Sequence, residues 1–408
     1  MTVSTERGFV PHFSIAERDR RWSRVRQLMG PAAIDAIFVA PNTGMFDTFQ
    51  ANARYLTGLG GNCCQVGAVF PRSGDVTAIS APDVDISIWL ERQDWVTDIR
   101  TIGDGWGYVP QTVDRLKELG LTRGRIGISG LYGNTRYPEG VFSHGMYEQL
   151  QAALSGAELV NANPLLEQAR FVKSDEEIAF MERSVALAEH ALDVFEEEAR
   201  PGVPECVVYA RMLASMVERG GEIPTMILWS VGWPQLPSNY YMPSERPMQR
   251  SDMISMEMEA RWGGYIGQIT QIAFLDDPPD EYKRMFEIQQ QVLGRCWELL
   301  RPGAIIGDFV DACKAFESDA YTCRLIMHAR GLGDDSPICI YQPRDEVMRT
   351  WKIENNSTFI IKPVISSRDK ARMLYWGDTV TATDHGARRL GKRLPRIMQL
   401  NSSLRFSR

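Results

Sequence analysis

The segment Met253–Phe274, MISMEMEARWGGYIGQITQIAF, restricts the possible folds of this chain more than any other stretch. Strand signals lie on both sides of a turn at Trp262-Gly263-Gly264, which predicts two β-runs joined tightly. Within the first run Glu257 and Glu259 alternate with apolar neighbours, so on a strand both carboxylates point to one face. Two readings fit that pattern. The pair is either the solvent face of an edge strand or a pair of carboxylates gathered in a site.

The chain before this segment has a different texture. Trp22, Val25 and Met29 recur at helical spacing, and Ile34–Ala40 is a short β-rich run closed by Pro41 and Asn42. Strand-like runs at Gln65–Phe70 and Val76–Ile79 flank a turn, and a helical stretch near Thr112–Leu119 precedes the run Arg125–Ser129. This predicts a mixed α/β domain over roughly the first 160 residues. Ser174 and Glu177 then form a capping-box pair ahead of Ile178, Met181, Val185, Ala188, Leu192 and Phe195. A long amphipathic helix is expected there, opening a second domain after the Asn161–Pro164 stretch. Helices near 281–300 and 308–317 and strands near 358–365 and 378–383 complete the pattern.

Composition removes several classes of function. The 408 residues are 44% hydrophobic and 24% charged, enough for two or three domains with their own cores. A net charge of −7 lacks the positive footprint that a nucleic-acid partner requires. Residues 1–13 are polar where a secretion signal needs an apolar run, and no stretch approaches a membrane span, so a cytoplasmic protein without a membrane partner is expected. The seven cysteines show no CxxC pair and no zinc-like histidine spacing, and they read as reduced core residues. There is no GxSxG elbow, Walker A loop or HExxH helix. Of five histidines, His190 falls off the apolar stripe of its helix and reads as a surface residue. His328 sits in MHARGLGDDSP, which reads as a loop presenting the ring into a cleft, or as a capped core histidine.

Taken in order, these segments resemble the creatinase/prolidase superfamily, the pita-bread fold of creatinase, prolidase and the Xaa-Pro and methionine aminopeptidases. RFVKSDEEIAFMERSVALAEHAL (170–192) is similar to its domain-opening helix, and Arg250–Phe274 to its hairpin with a Gly-Tyr turn. HARGLGDD (328–335) is similar to its histidine loop, FIIKPVI (359–365) to its Glu-Pro strand, and WGDTVTATDHGARRLGKRLP (376–395) to its terminal strand and turn. NARYLTGLGG (52–61) suits the superfamily's N-terminal domain. The resemblance implies an α/β (α+β) protein with a creatinase-type N-terminal domain over 1–163 and a pita-bread domain over 164–408. It also implies a homodimer in which one chain's N-terminal domain covers the other's pocket.

The metal site of that superfamily is not matched. Its peptidases hold two divalent ions with Asp, Asp, His, Glu and Glu; the corresponding positions here are Glu257, Gln268, His328, Lys362 and Gly377. Four carboxylates have become one carboxylate and one ammonium, so the formal charge rises from −4 to zero, and neither a metal nor another cofactor is expected. Creatinase and ectoine hydrolase also work without metal, but the creatinase histidine aligns near Tyr240 and its Glu-Pro glutamate with Lys362, so this chain is not a creatinase. The resemblance implies a metal-independent hydrolase of a C–N bond in a small polar molecule. Glu257 or Glu259 would be base or nucleophile, His328 a proton shuttle, Lys362 an electrostatic stabiliser and Gln268 a donor to an oxyanion. Tyr240, Tyr241, Arg330 and Trp376 would contact substrate, while Trp229, Trp233 and Trp262 suit either a planar or cationic ligand or the core. A pita-bread lyase, a non-catalytic binding protein and a metal-dependent Xaa-Pro peptidase are the alternatives.

Overall fold

A computed structural model of the chain describes residues 11–41, 51–61, 65–80, 86–105, 107–133, 136–232 and 242–400. The fold divides into two compact units: Met1–Phe180 with 263–265 and 331–336, and the remainder from Met181 onward.

The first unit is built on a six-stranded sheet. Its strands are β1 (Ala36–Val39), β2 (Val66–Pro71), β3 (Thr77–Ser80), β4 (Asp98–Thr101), β5 (Arg125–Ile128) and β6 (Glu158–Asn161), in the order β4-β3-β2-β1-β5-β6. β1 pairs antiparallel with β2 and parallel with β5. Short β-branched and aromatic runs such as AIFV and VGAVFP are buried on both faces, as strands covered by helices must be. Phe38, Val69, Ile79, Leu116, Ile126 and Leu150 form one continuous apolar cluster in this unit. The helix Asp175–Glu198 begins with the expected capping box: Glu177 N–H donates to Ser174 Oγ at 3.1 Å and Ser174 N–H to Glu177 Oε2 at 2.9 Å.

The second unit holds two sheets. One contains β7 (Ile227–Gly232), β8 (Met253–Trp262), β9 (Tyr265–Phe274) and β16 (Met398–Gln399), ordered β16-β9-β8-β7. The other contains β10 (Tyr321–Arg330), β11 (Asp334–Pro343), β12 (Thr358–Ser367), β14 (Asp378–Thr383) and β15 (Gly386–Arg389), ordered β11-β10-β12-β14-β15, with β13 (Met373–Tyr375) on β12. The hairpin expected at Met253–Phe274 is present as β8 and β9. β8 lies between β7 and β9, so Glu257 and Glu259 are buried rather than on the solvent face of an edge strand. A Cβ at Gly267 would lie 2.3 Å from Val185 N, so this glycine lets β9 approach the backbone of the helix Asp175–Glu198. On the second sheet, the helix Asp280–Leu299 is tied to β12 through Gln289 Nε2, which donates to Pro363 O at 2.6 Å.

Several expectations need correction. MHARGLGDDSP is not a loop: β10 runs through Arg330 and β11 starts at Asp334, so the glycines supply only a three-residue turn. The two aspartates that suggested a loop are buried ion-pair partners, Asp334 with Arg136 and Asp335 with Arg170. Cys296, Cys313, Cys323 and Cys339 are buried thiols as expected, but Cys206 is half-buried, and Cys63 and Cys64 lie outside the described residues. His190 is half-buried rather than a solvated surface residue. No helix among the described residues is long and apolar enough to cross a membrane.

Candidate active site

Strand pairing in the second unit determines which distant residues meet. β10 and β12 are antiparallel with Ile326 opposite Lys362 and His328 opposite Ile360. Opposed residues share a face and alternate residues return to it, so His328, Arg330 and Lys362 line one side of this sheet. On β8 the same alternation puts Glu257 beside Glu259, and Gln268 stands on the neighbouring β9. All six side chains are buried.

Five of them form one polar chain. Lys362 Nζ donates to Glu257 Oε1 at 2.5 Å, and Gln268 Nε2 donates to the same oxygen. Gln268 Oε1 accepts from Arg330 Nε at 2.6 Å, and the Arg330 guanidinium pairs with Glu259. The order is Lys362, Glu257, Gln268, Arg330, Glu259: two carboxylates, two cations and a neutral amide between them. Buried charge is costly unless paired, and here each carboxylate has its own cation. Backbone bonds hold the members in place. Gln268 N–H donates to Thr379 Oγ1 at 3.0 Å, Thr379 Oγ1–H donates back to Gln268 O at 2.7 Å, and Thr358 Oγ1–H donates to Arg330 O at 2.5 Å. Glu257, at 6% exposure against 1% for Glu259, is the more accessible carboxylate.

The remaining expected residues stand differently. The His328 ring has Nδ1 at 3.5 Å from Ala329 O, and Arg330, two residues on, is the β10 side chain that reaches Gln268. Trp376 is fully buried: its indole N–H donates to Gln271 Oε1 at 3.2 Å, and the Arg393 guanidinium covers the ring at 4.0 Å. It packs against Arg393 and Trp297. Trp229 is likewise buried, its indole N–H donating to Glu205 Oε2 at 3.1 Å, and Trp262 is half-buried. Trp233, Tyr240 and Tyr241 lie outside the described residues. Sequence reasoning undervalued Arg330, whose bridging position depends on the β10 register, and it missed Thr379, which carries no local signal beyond β-propensity.

Two divalent ions do not fit this arrangement. The five corresponding side-chain positions supply one carboxylate, an amide, an imidazole and an ammonium, and Gly377 supplies none. The ammonium of Lys362 already takes the Glu257 oxygen that a metal would need. Among the described residues no group of three or more His, Cys, Asp or Glu side chains is arranged to hold a metal ion.

Comparison with known proteins shows what the chain is similar to. The model of metallopeptidase family M24 matches residues 179–384, and that of the creatinase/prolidase N-terminal domain matches residues 21–172. The chain is 25% identical over 315 residues to the uncharacterized peptidase YqhT of Bacillus subtilis (strain 168), covering 76% of this chain and 78% of that one. It is 25% identical over 308 residues to the creatinase of Bacillus sp. (strain B-0618), covering 72% and 69%. Among solved structures, the X-Pro aminopeptidase of Thermotoga maritima superposes with a TM-score of 0.75 at 16% identity, over 93% of this chain and 99% of that one, a likeness of fold.

Proposed function

The chain belongs to metallopeptidase family M24, and from that premise we propose that it is a metal-independent hydrolase cleaving an amide or amidine C–N bond in a small polar metabolite. Its fold is that of the creatinase/prolidase superfamily, a creatinase-type N-terminal α/β domain followed by a pita-bread domain. We take the domains as residues 1–163 and 164–408.

The observation that carries the reading is the Lys362–Glu257 pair, a cation and a base 2.5 Å apart within the polar chain. Glu257 is the general base towards water, being the more accessible of the two carboxylates. Lys362 provides positive charge beside it for the oxyanion, or its amidine equivalent, that develops as water adds to carbon. The proton taken by Glu257 passes to the departing nitrogen, with His328, on the same face as Lys362, as the shuttle. Gln268 is bound at both ends of its amide, so we assign it the orientation of Glu257 rather than contact with the oxyanion. Glu259 and Arg330 compensate one another and hold Gln268 in place.

The test is incubation with amide and amidine metabolites in chelator and water enriched in oxygen-18, comparing wild type with Glu257→Gln. Released amine with labelled oxygen in the other product, lost in Glu257→Gln, is the expected result. An alkene product without label would make the protein a lyase. Ligand density in soaked crystals without turnover would make it a binding protein. A homodimer is part of the reading, and light scattering at micromolar concentration should give twice the 46.1 kDa chain mass.

A further inference from the structure

We propose that Gly377 is a positioning residue for Lys362: the space left by the missing side chain at 377 is what lets the lysine stem reach Glu257. The inference rests on the reading of Lys362 as the cation of the site. Gly377 precedes β14, and its backbone is pinned from two sides. Its carbonyl accepts from Thr270 N–H at 3.1 Å and from Arg393 Nη2. It is not among the residues with positive φ, so an L-residue could adopt its backbone conformation, and the glycine is required for space.

The space is taken by the lysine. A Cβ added at 377 would lie 2.4 Å from Lys362 Cγ, 3.0 Å from Lys362 Cβ and 2.8 Å from Ile361 O. Lys362 cannot yield through its backbone, because β12 is paired on one side with β10 and, one residue earlier at Ile361, with Asp378 of β14. The stem itself must therefore move by roughly an ångström to reach ordinary contact, and a shift at Cγ swings Nζ off a 2.5 Å hydrogen bond. Lys362 and a side chain at 377 are thus mutually exclusive. A glutamate introduced at 377 would therefore displace the Lys362 stem rather than add a metal ligand beside it.

The experiment is lysine labelling of the full-length protein by reductive methylation, read peptide by peptide by mass spectrometry, in wild type and Gly377→Ala. Lys362 should be protected in wild type and should label at least tenfold faster in Gly377→Ala, while Lys173, buried in the other unit, stays protected and far-UV circular dichroism is unchanged. Equal protection of Lys362 in a folded Gly377→Ala would overturn the proposal. If Gly377→Ala does not fold, the substitution is repeated in a Lys362→Ala background. There the alanine should be tolerated with a smaller loss of Tm, because the 2.4 Å contact with Cγ is gone and only the Ile361 carbonyl and the Cβ of residue 362 stay close. A Lys362→Ala protein that likewise fails to fold once Gly377→Ala is added would place the clash on the Ile361 carbonyl and the Cβ of residue 362 instead of the lysine stem, and would overturn the proposal. Neither readout uses a substrate, so a protein that hydrolyses nothing can still pass this test, and a working hydrolase can fail it.

Discussion

Lys362→Met removes one partner of a buried pair and keeps much of the stem's volume, so its effect isolates the charge. Lys362 and Glu257 are 3% and 7% exposed at their side chains and their atoms meet at 2.5 Å. Breaking such a pair from one side costs about 3–5 kcal/mol, because a carboxylate is left buried without its counter-charge. Gln268 still donates to Glu257, which places the expected loss near the lower end, about 3 kcal/mol. For a unit of about this size each kcal/mol corresponds to about 2–4 °C, so calorimetry should show the unfolding of the second unit about 6–12 °C lower. Removing both charges in Lys362→Met/Glu257→Gln should restore most of the loss, since a neutral pair leaves nothing stranded. A Lys362→Met protein within about 1 kcal/mol of wild type would refute the reasoning and make Lys362 a bystander.

Two further outcomes are expected. Arg330→Met leaves Glu259 without its cation and Gln268 without its donor, and should cost about 3–5 kcal/mol in chemical denaturation, while Arg330→Lys, lacking the fork that spans both partners, should recover less than half. Burial pushes the Lys173 ammonium down to about 8, so between that value and the normal lysine range the unfolded chain holds the proton and the native state does not. Stability relative to Lys173→Met should therefore rise with pH from about 8 to about 10.5, by on the order of 3 kcal/mol, and parallel denaturation curves across that window would contradict it.

The elements with strong local signals were legible. The Ser174–Glu177 box, the helix behind it and the β8–β9 hairpin are all dictated by neighbours in sequence, and they stand where the pattern predicts. What was not legible is pairing across distance. Glu257 and Lys362 are 105 positions apart, and only the registers of two sheets bring them together. The choice between a solvent-facing and a buried Glu257–Glu259 pair was open in the sequence because alternation gives a shared face but not what covers it. The stretch after His328 reads as a loop because Gly, Gly, Asp and Asp favour one, whereas Asp334 and Asp335 are tolerated in a strand through ion pairs with Arg136 and Arg170. Trp376 looked like a recognition residue since nothing local announces that Arg393 lies over its ring.

In the proposed metal-independent site, the Lys362 ammonium and the Arg330 guanidinium are each paired with a β8 carboxylate, and the site works without divalent ions. Elemental analysis of the purified protein, combined with thermal unfolding before and after chelation, tests it most directly. Less than one manganese, iron, cobalt or zinc per chain and an unchanged Tm in chelator are expected. Close to two ions per chain, with a Tm that falls on chelation and returns on adding metal, would contradict it.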